Sequence, residues 1–168
     1  MSEVYIRPVL NEKEITAIKG LIGLLKFEDG ISSLLGPMSD ENKSAIKRNI
    51  QCAVPDENTK RISEIIMASI DRDVGFANRT IPRDSYQPMI VKMGESSWYR
   101  PHHDAWDNGD FSTTVFLNNP DEYEGGALNI RCGSLDGDYK LPVGHAVTYD
   151  TGTLHQVKEV TSGERLVA

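Results

Sequence analysis

The first half of the chain carries apolar residues at helical spacing. Within residues 11–25 they recur every three or four positions, which is the pattern of an amphipathic helix with one buried face. Asn11 suits the N-cap position, and Glu14 follows three residues later as in a capping box. We therefore predict a helix over 11–25 whose buried face is formed by Ile15, Ile18, Ile22 and Leu25.

Two further segments have helical patterns. Residues 58–70 present four isoleucines on one side and charged residues on the other, which is typical of a packed helix with a solvated face. The segment "DENKSAIKRNI" at 40–50 indicates a second, short helix. The isoleucines of the stronger helix are Ile62, Ile65, Ile66 and Ile70.

From about Tyr86 onward the pattern changes to short β-rich runs separated by Gly, Pro, Asn and Asp. Regularly spaced short strands with turn residues between them predict a β-sandwich or barrel. We therefore predict a mainly β fold of the α+β class, with helices packed outside a β-roll. The chain is interpreted as one domain over 1–168, in which 1–85 is a helical support region and 86–168 is the β-roll core. The runs are "QPMIVKM", "STTVFLN", "GALNIRC", "HAVTYD", "HQVKEV" and "RLVA".

Length, composition and charge limit the class of protein, its partners and its cellular location. The 168 residues, 39% hydrophobic and 26% charged, suit one globular domain with its own core. The formal net charge of −7 argues against nucleic acid or an anionic membrane surface as the main partner. We expect no secretory leader and no membrane span, and we interpret Cys52 and Cys132 as free thiols. These features predict a cytoplasmic protein.

The stretch "SWYRPHHDAWDNGDF" holds the candidate chemistry. On a strand, residues two apart share a face, so His102 and Asp104 face together while His103 faces the other way. A metal site needs a third ligand, for which His145 and His155 are the candidates. We select His155 because it opens the strand-like run "HQVKEV", whereas His145 follows a glycine in a predicted turn.

Two histidines and one carboxylate form the facial triad of non-haem Fe(II) oxygenases, which leaves coordination positions open for a cosubstrate and dioxygen. Arg165 lies ten residues after His155 on the next β-like run. Because a guanidinium pairs with a carboxylate through two parallel hydrogen bonds, Arg165 is well placed to hold the distal carboxylate of 2-oxoglutarate.

At this point the sequence resembles a known family. The segments "YRPHHD", "VFLNNPDEYEGGALNI" and "LPVGHAVTYDTGTLHQVKEVTSGERLVA" resemble the Fe(II)- and 2-oxoglutarate-dependent dioxygenases of the prolyl 4-hydroxylase type. The similarity is to the bacterial and phage PKHD-type hydroxylases in particular, and "FEDGISSL" and "KRNIQC" resemble the N-terminal part of that group.

The resemblance implies a double-stranded β-helix, also called a jelly roll, with Fe(II) held by His102, Asp104 and His155. It implies that Arg165 binds the C5 carboxylate of 2-oxoglutarate and that Tyr99 lines the pocket. Ascorbate often supports such enzymes by keeping iron reduced. An aspartate at position 104 fits hydroxylases better than the related halogenases, which lack this carboxylate.

The chain departs from the family pattern at two places. Lys92 stands near a position where relatives often carry a tyrosine, and it either binds a carboxylate or points to solvent. The chain stops at Ala168, three residues after Arg165, so either the last strand is very short or the sequence is incomplete. Trp106 either packs at the lip of the site or contacts the substrate, and its loop is acidic.

The sequence thus predicts an enzyme that uses dioxygen and 2-oxoglutarate to hydroxylate an unactivated C–H bond, with release of succinate and CO2. The substrate is a prolyl or other residue in a peptide or protein, a free amino acid or a small metabolite. Two rival functions are a non-catalytic jelly-roll sensor of metal or 2-oxoglutarate and a Zn(II) hydrolase. Arg165 argues against the hydrolase, because hydrolysis needs no clamp for a distal carboxylate.

Overall fold

The computed structural model describes residues 4–34, 37–52, 56–104 and 109–168. Asn11 caps the first helix, and its side chain accepts hydrogen bonds from the backbone of Glu14 while the Glu14 side chain accepts from the backbone of Asn11. The predicted capping box is therefore confirmed. None of the helices in the described ranges is long and apolar enough to cross a bilayer. The helices are α1 Glu12–Ile22, α2 Asp40–Ile46, α3 Glu57–Asp71 and α4 Val74–Thr80.

Fourteen strands are present in the described ranges, together with 3-10 turns at Gly30–Ser33 and Pro120–Glu122. They are β1 Tyr5–Pro8, β2 Phe27–Asp29, β3 Lys47–Arg48, β4 Ile50–Cys52, β5 Val91–Met93, β6 Trp98–His102, β7 Phe111–Val115, β8 Tyr123–Gly125, β9 Leu128–Cys132, β10 Leu135–Tyr139, β11 His145–Asp150, β12 Leu154–Val157, β13 Val160–Gly163 and β14 Arg165–Val167.

The strands form two facing layers. One layer runs β1-β11-β7 and continues, through a bridge between Phe116 and Val167, into β14-β5-β4-β2. The other layer runs β10-β9-β12-β6-β3, and β13 pairs with β8 beside it. All pairings are antiparallel. The fold is a mainly β jelly roll, as predicted.

Alternation along β7 and the residues after it separates two cores. Val115 and Leu117 are buried against the helices, whereas Phe116 between them is buried inside the roll. The outer core is completed by the isoleucines of α1 and α3, so the helices pack outside the roll as predicted. The inner core contains Phe116, Leu128, Ile130, Val147, Tyr149 and Val167.

The last strand lies inside the larger layer. β14 pairs with β5 on one side. On the other side, Ala168 and Val115 exchange backbone hydrogen bonds of 2.9 and 2.8 Å. β14 is therefore hydrogen-bonded on both sides and is not an edge strand.

The predicted helix over 40–50 is only partly correct. α2 ends at Ile46, and β3 and β4 follow it directly. From Lys47 to Gln51, buried and exposed residues alternate, which is the period of a strand. The predicted division at residue 86 is crossed by β1, β3 and β4, which pair with strands of the roll, and β2 pairs with β4.

Candidate metal centre

The candidate site is built on the pair of strands β6 and β12. His155 on β12 is paired in register with His102 at the end of β6. The register shifts between this pair and the next one, Val157 with Tyr99, so β6 carries one extra residue and forms a β-bulge. Pro101 lies in the bulge, where a residue without an N–H is tolerated. The bulge brings His102 and Tyr99 to the same side.

Three potential ligand atoms converge here. Asp104 Oδ1 lies 3.7 Å from His102 Nε2 and 3.6 Å from His155 Nε2. All three atoms lie within 4.8 Å of one another, which is close enough for one metal ion to bind all three. His103 takes no part, because it is exposed and its Nδ1 contacts the carbonyl oxygen of Gly152 at 2.8 Å.

Backbone carbonyls orient both imidazoles. His102 Nδ1 lies 2.7 Å from the carbonyl oxygen of Arg100, and His155 Nδ1 lies 2.9 Å from that of Thr153. A carbonyl oxygen only accepts, so each Nδ1 carries the proton and each Nε2 keeps its lone pair. The two histidines therefore present the tautomer that binds a metal through Nε2.

A third partner orients the carboxylate. Ser112, on β7, donates a hydrogen bond from its hydroxyl to Asp104 Oδ2. This contact leaves Oδ1 directed at the two histidines, so Asp104 is arranged to give one oxygen to a metal. Each of the three candidate ligands thus has a hydrogen-bond partner that fixes its orientation.

Burial keeps His102 neutral. Desolvation, and next the proximity of His155, lower the pKa of His102 to about 4. A proton therefore does not compete with a metal ion for His102 Nε2 near neutral pH. Chemically, these residues fit a divalent ion that takes nitrogen and oxygen ligands, such as Fe(II).

Arg165 is the largest charged side chain of the interior. It is only 2% exposed, and desolvation lowers its pKa. Within the described ranges no carboxylate pairs with it, and its Nε has no hydrogen-bond partner. Its neighbours include the hydroxyl of Tyr123, the sulfur of Met93 at 3.6 Å and the ring of Phe116 at 5.6 Å.

Tyr149 links Arg165 to the metal ligands. Its ring lies 5.0 Å from the ring of His155, and its hydroxyl interacts electrostatically with the Arg165 guanidinium. Burial raises the pKa of Tyr149. The guanidinium and the triad therefore share one interior, with a neutral tyrosine between them.

Tyr99 lies against the triad. Its ring stacks on the ring of His102, with centroids 3.6 Å apart and planes at 18°. Burial, and next the carboxylate of Asp104, raise the pKa of Tyr99 to about 12. The structure thus brings together five of the residues that the sequence singled out. They are Tyr99, His102, Asp104, His155 and Arg165.

One predicted residue, Lys92, does not join them. Lys92 lies on the outer face of β5, where its ammonium is 3.1 Å from Glu164 Oε1 and 4.9 Å from the centroid of the Phe27 ring. It is paired in register with Leu166, which contacts the helices. Trp106 lies outside the described residues.

Sequence reasoning missed the supporting residues. Ser112 and Tyr149 lie on inward positions of β7 and β11, and the alternation of those strands was the available signal. Lys47 lies 5.0 Å from the centroid of the Tyr99 ring, and its polar surroundings gave no apolar pattern to find it.

The jelly roll and the His-Asp-His site define a class, the 2-oxoglutarate and Fe(II) dependent oxygenases. In agreement, the family model described as "2OG-Fe(II) oxygenase superfamily" matches residues 88–168. A PKHD-type hydroxylase from Verminephrobacter eiseniae is 31% identical over 170 residues, which cover 94% of this chain and 72% of that protein. The chain belongs to the PKHD-type hydroxylase family and is an oxidoreductase.

Solved structures share the fold. A prolyl-4-hydroxylase from Pseudomonas putida superposes with a TM-score of 0.65 at 15% identity, covering 99% of this chain and 90% of that one. A prolyl hydroxylase from Trichoplax adhaerens, in complex with a peptide fragment of the hypoxia inducible factor oxygen degradation domain, gives 0.68 at 15% identity. That alignment covers 98% of this chain and 80% of the other.

Proposed function

We propose that this enzyme hydroxylates an unactivated C–H bond of a prolyl or other amino-acid residue within a peptide or protein. One oxygen atom of O2 enters the C–H bond as a hydroxyl group. The other enters 2-oxoglutarate, which loses CO2 and becomes succinate. The name of the relatives supports a hydroxylase, and the peptide bound to the Trichoplax protein supports this substrate class over a free amino acid or small metabolite.

In this proposal His102, Asp104 and His155 bind Fe(II), and Arg165 binds the C5 carboxylate of 2-oxoglutarate. The fixed Nδ1 protons of the histidines and the contact from Ser112 to Asp104 support the first assignment. When bound, Fe(II) and 2-oxoglutarate together supply the activation of dioxygen that the reaction requires. The protein holds these groups in place and keeps water out.

The observation that carries the proposal is the buried guanidinium of Arg165. A charge that is 98% removed from solvent, with no carboxylate partner among the described residues, is costly unless an anion joins it. A dicarboxylate that reached from Arg165 past Tyr149 to the triad would supply that anion. A Zn(II) hydrolase would leave this charge without a partner.

Anaerobic titration tests the site. Fe(II) and then 2-oxoglutarate are added to metal-free protein, and the visible charge-transfer band of the chelate is recorded. We expect the band in the wild-type protein, no band in His155→Ala, and a band that needs far more 2-oxoglutarate in Arg165→Ala. Wild-type protein without a band, or with tight zinc binding and no response to 2-oxoglutarate, would refute the oxygenase site.

Product analysis tests the substrate class. Succinate release is measured with ascorbate present, using proline-containing peptides, free proline and no added substrate. Peptide-dependent succinate, matched by a gain of one oxygen atom in the peptide, is the expected result. Stimulation by free proline alone would indicate a small-molecule hydroxylase, and no stimulation by any substrate would favour the sensor.

A further inference from the structure

Three buried polar residues, Lys47, Asn49 and Gln51, form a stripe on the segment that joins the two layers beside the metal centre. Residues 47–52 cross from one layer to the other, since β3 pairs with β6 and β4 pairs with β5. Lys47, Asn49 and Gln51 alternate along this segment, and all three are buried. The proposed function assigns no role to them.

Lys47 is the only member of the stripe that carries a charge. It is 5% exposed, and its ammonium donates to Ser33 Oγ at 2.7 Å and to Gln51 Oε1 at 3.4 Å. No carboxylate in the described part of the chain forms an ion pair with it. The ammonium also faces the ring of Tyr99, and its nitrogen lies 5.0 Å from the ring centroid. All of these contact partners are neutral, and the carboxylates that attract the ammonium without touching it are Asp29, which is exposed, and Asp104.

This charge lies one side chain away from the metal ligands. Lys47 is paired in register with Tyr99, whose ring stacks on His102 at 3.6 Å. The ammonium interacts electrostatically with both His102 and Asp104. In a buried site such interactions are weakly screened, so the charge acts on whatever the triad binds.

The interior carries more positive than negative charge. Among the described residues around the triad, Lys47 and Arg165 are cations and Asp104 is the carboxylate. A divalent metal ion adds two positive charges, which Lys47 repels. A dicarboxylate then adds two negative charges, which Lys47 attracts. The charge of Lys47 therefore weakens the binding of the metal ion and strengthens the binding of the dicarboxylate.

We infer that Lys47 is a specificity-determining residue that favours an anionic cosubstrate at the metal and disfavours the metal ion bound alone. This inference rests on the proposed function, since it takes 2-oxoglutarate as the anion. Burial lowers the pKa of Lys47 to about 8, which still leaves most of the lysine protonated at neutral pH.

The test compares Lys47→Met with Lys92→Met. Both lysines lie above an aromatic ring, at 5.0 and 4.9 Å, but Lys92 is on the outer face and has Glu164 as a partner. The two variants change the net charge equally. Mn(II) binding is measured by electron paramagnetic resonance without cosubstrate, and 2-oxoglutarate binding to the Mn(II)-loaded protein is measured by calorimetry, both near pH 7.

In Lys47→Met we expect 2-oxoglutarate to bind about tenfold more weakly and Mn(II) to bind more tightly than in the wild-type protein. The size follows from a unit charge at roughly 10 Å in an effective dielectric of about 20. Lys92→Met should change neither affinity by more than about twofold, because its charge is exposed to screening and paired. Melting temperatures of all variants are recorded.

Weaker binding of both ligands in Lys47→Met would indicate a structural role and overturn the inference, as would unchanged affinities. If Lys47→Met does not fold, Lys47→Gln replaces it, because an amide can keep the contacts with Ser33 and Gln51. Absence of 2-oxoglutarate binding by the wild-type protein would instead refute the proposed function. In that case the Mn(II) measurement alone would show whether Lys47 weakens the binding of a metal ion without cosubstrate.

Discussion

Arg7 and Arg165 are both buried arginines of the larger β-layer, but they lie on its opposite faces. Arg7 is on the helix-covered face, where it forms an ion pair with Asp73 and donates to Thr148 Oγ1 at 2.8 Å. It also lies 4.8 Å from the centroids of the Tyr5 and Phe76 rings. Arg165 is inside the roll and has no carboxylate partner among the described residues.

The difference separates a structural charge from a binding charge. Asp73 caps α4 by accepting from the backbone of Phe76, so its ion pair with Arg7 ties that helix to β1. The partner of Arg7 belongs to the fold. In the proposed function, the partner of Arg165 is the bound 2-oxoglutarate. A buried cation with its own carboxylate should therefore contribute to stability, and one without it should contribute to binding.

The largest expected effect is that of Arg165→Met on cosubstrate affinity. Removing one partner of a buried ion pair costs about 3–5 kcal/mol, so 2-oxoglutarate should bind roughly 10²- to 10⁴-fold more weakly. The free energy of unfolding of the ligand-free protein should not fall, because an unpaired buried charge is removed. Calorimetry and urea unfolding measure the two quantities. A large loss of stability with unchanged affinity would reverse the assignment.

Arg7→Met should show the opposite profile. It leaves Asp73 without its cation, so the free energy of unfolding should fall by roughly 3 kcal/mol. The affinity for 2-oxoglutarate should stay unchanged, since Arg7 lies on the outer face. The double variant Arg7→Met/Asp73→Asn should regain part of the stability, because asparagine still caps α4. An equal loss in the double variant would show that packing, not charge, dominates.

The same two faces explain how much the sequence could predict. The strand pattern correctly predicted a β-roll with helices outside, the family resemblance made that roll a jelly roll, and strand parity separated His102 and Asp104 from His103. The apolar pattern gave no sign of Lys47, Asn49 and Gln51. These residues are buried but polar, so the sequence over β3 and the start of β4 looked like the end of a helix. Lys92 lies away from the site, because its strand presents it to the outer face, where it contacts Glu164 and Phe27.

Strand parity also fails where a bulge interrupts it. Tyr99 and His102 are three residues apart and would face opposite sides of a regular strand. The extra residue near Pro101 brings them together, so that their rings stack. The sequence placed Tyr99 in the pocket only through the family resemblance. Its contact with His102 depends on the pairing of β6 with β12, which no local pattern reveals.

Adjacent hydroxyls on β7 sharpen the contrast between the faces. Ser112 faces inward and donates to Asp104, whereas Thr113 faces outward and lies 2.8 Å from Thr148 Oγ1. Ser112→Ala should weaken Mn(II) affinity about tenfold, which is the size expected when the hydrogen-bond partner of a ligand is removed. Thr113→Ala should leave Mn(II) affinity unchanged. Equal effects of the two substitutions on Mn(II) affinity would show that Ser112 does not support the metal site.

The smallest expected effect is a pH dependence that separates Lys47 from Arg165. The charged or titratable groups that face Lys47 are Asp29, Asp104, Tyr99 and His102. The pKa of Tyr99 is raised to about 12 and that of His102 is lowered to about 4, so neither changes charge between pH 7 and 9. Burial lowers the pKa of Lys47 to about 8, so this lysine loses its charge within that interval.

Affinity for 2-oxoglutarate in the Mn(II)-loaded wild-type protein should therefore fall severalfold as the pH rises through about 8. The fall cannot exceed the roughly tenfold effect of removing the charge altogether. Lys47→Met should show no such step, and the difference between the two titrations removes any ionisation of metal-bound water that both share. Arg165→Met should keep the step at lower overall affinity, because Arg165 stays charged at these pH values. A step of the same size in Lys47→Met would show that another group titrates. Among the two buried cations, only Arg165 would then be assigned a role in binding 2-oxoglutarate.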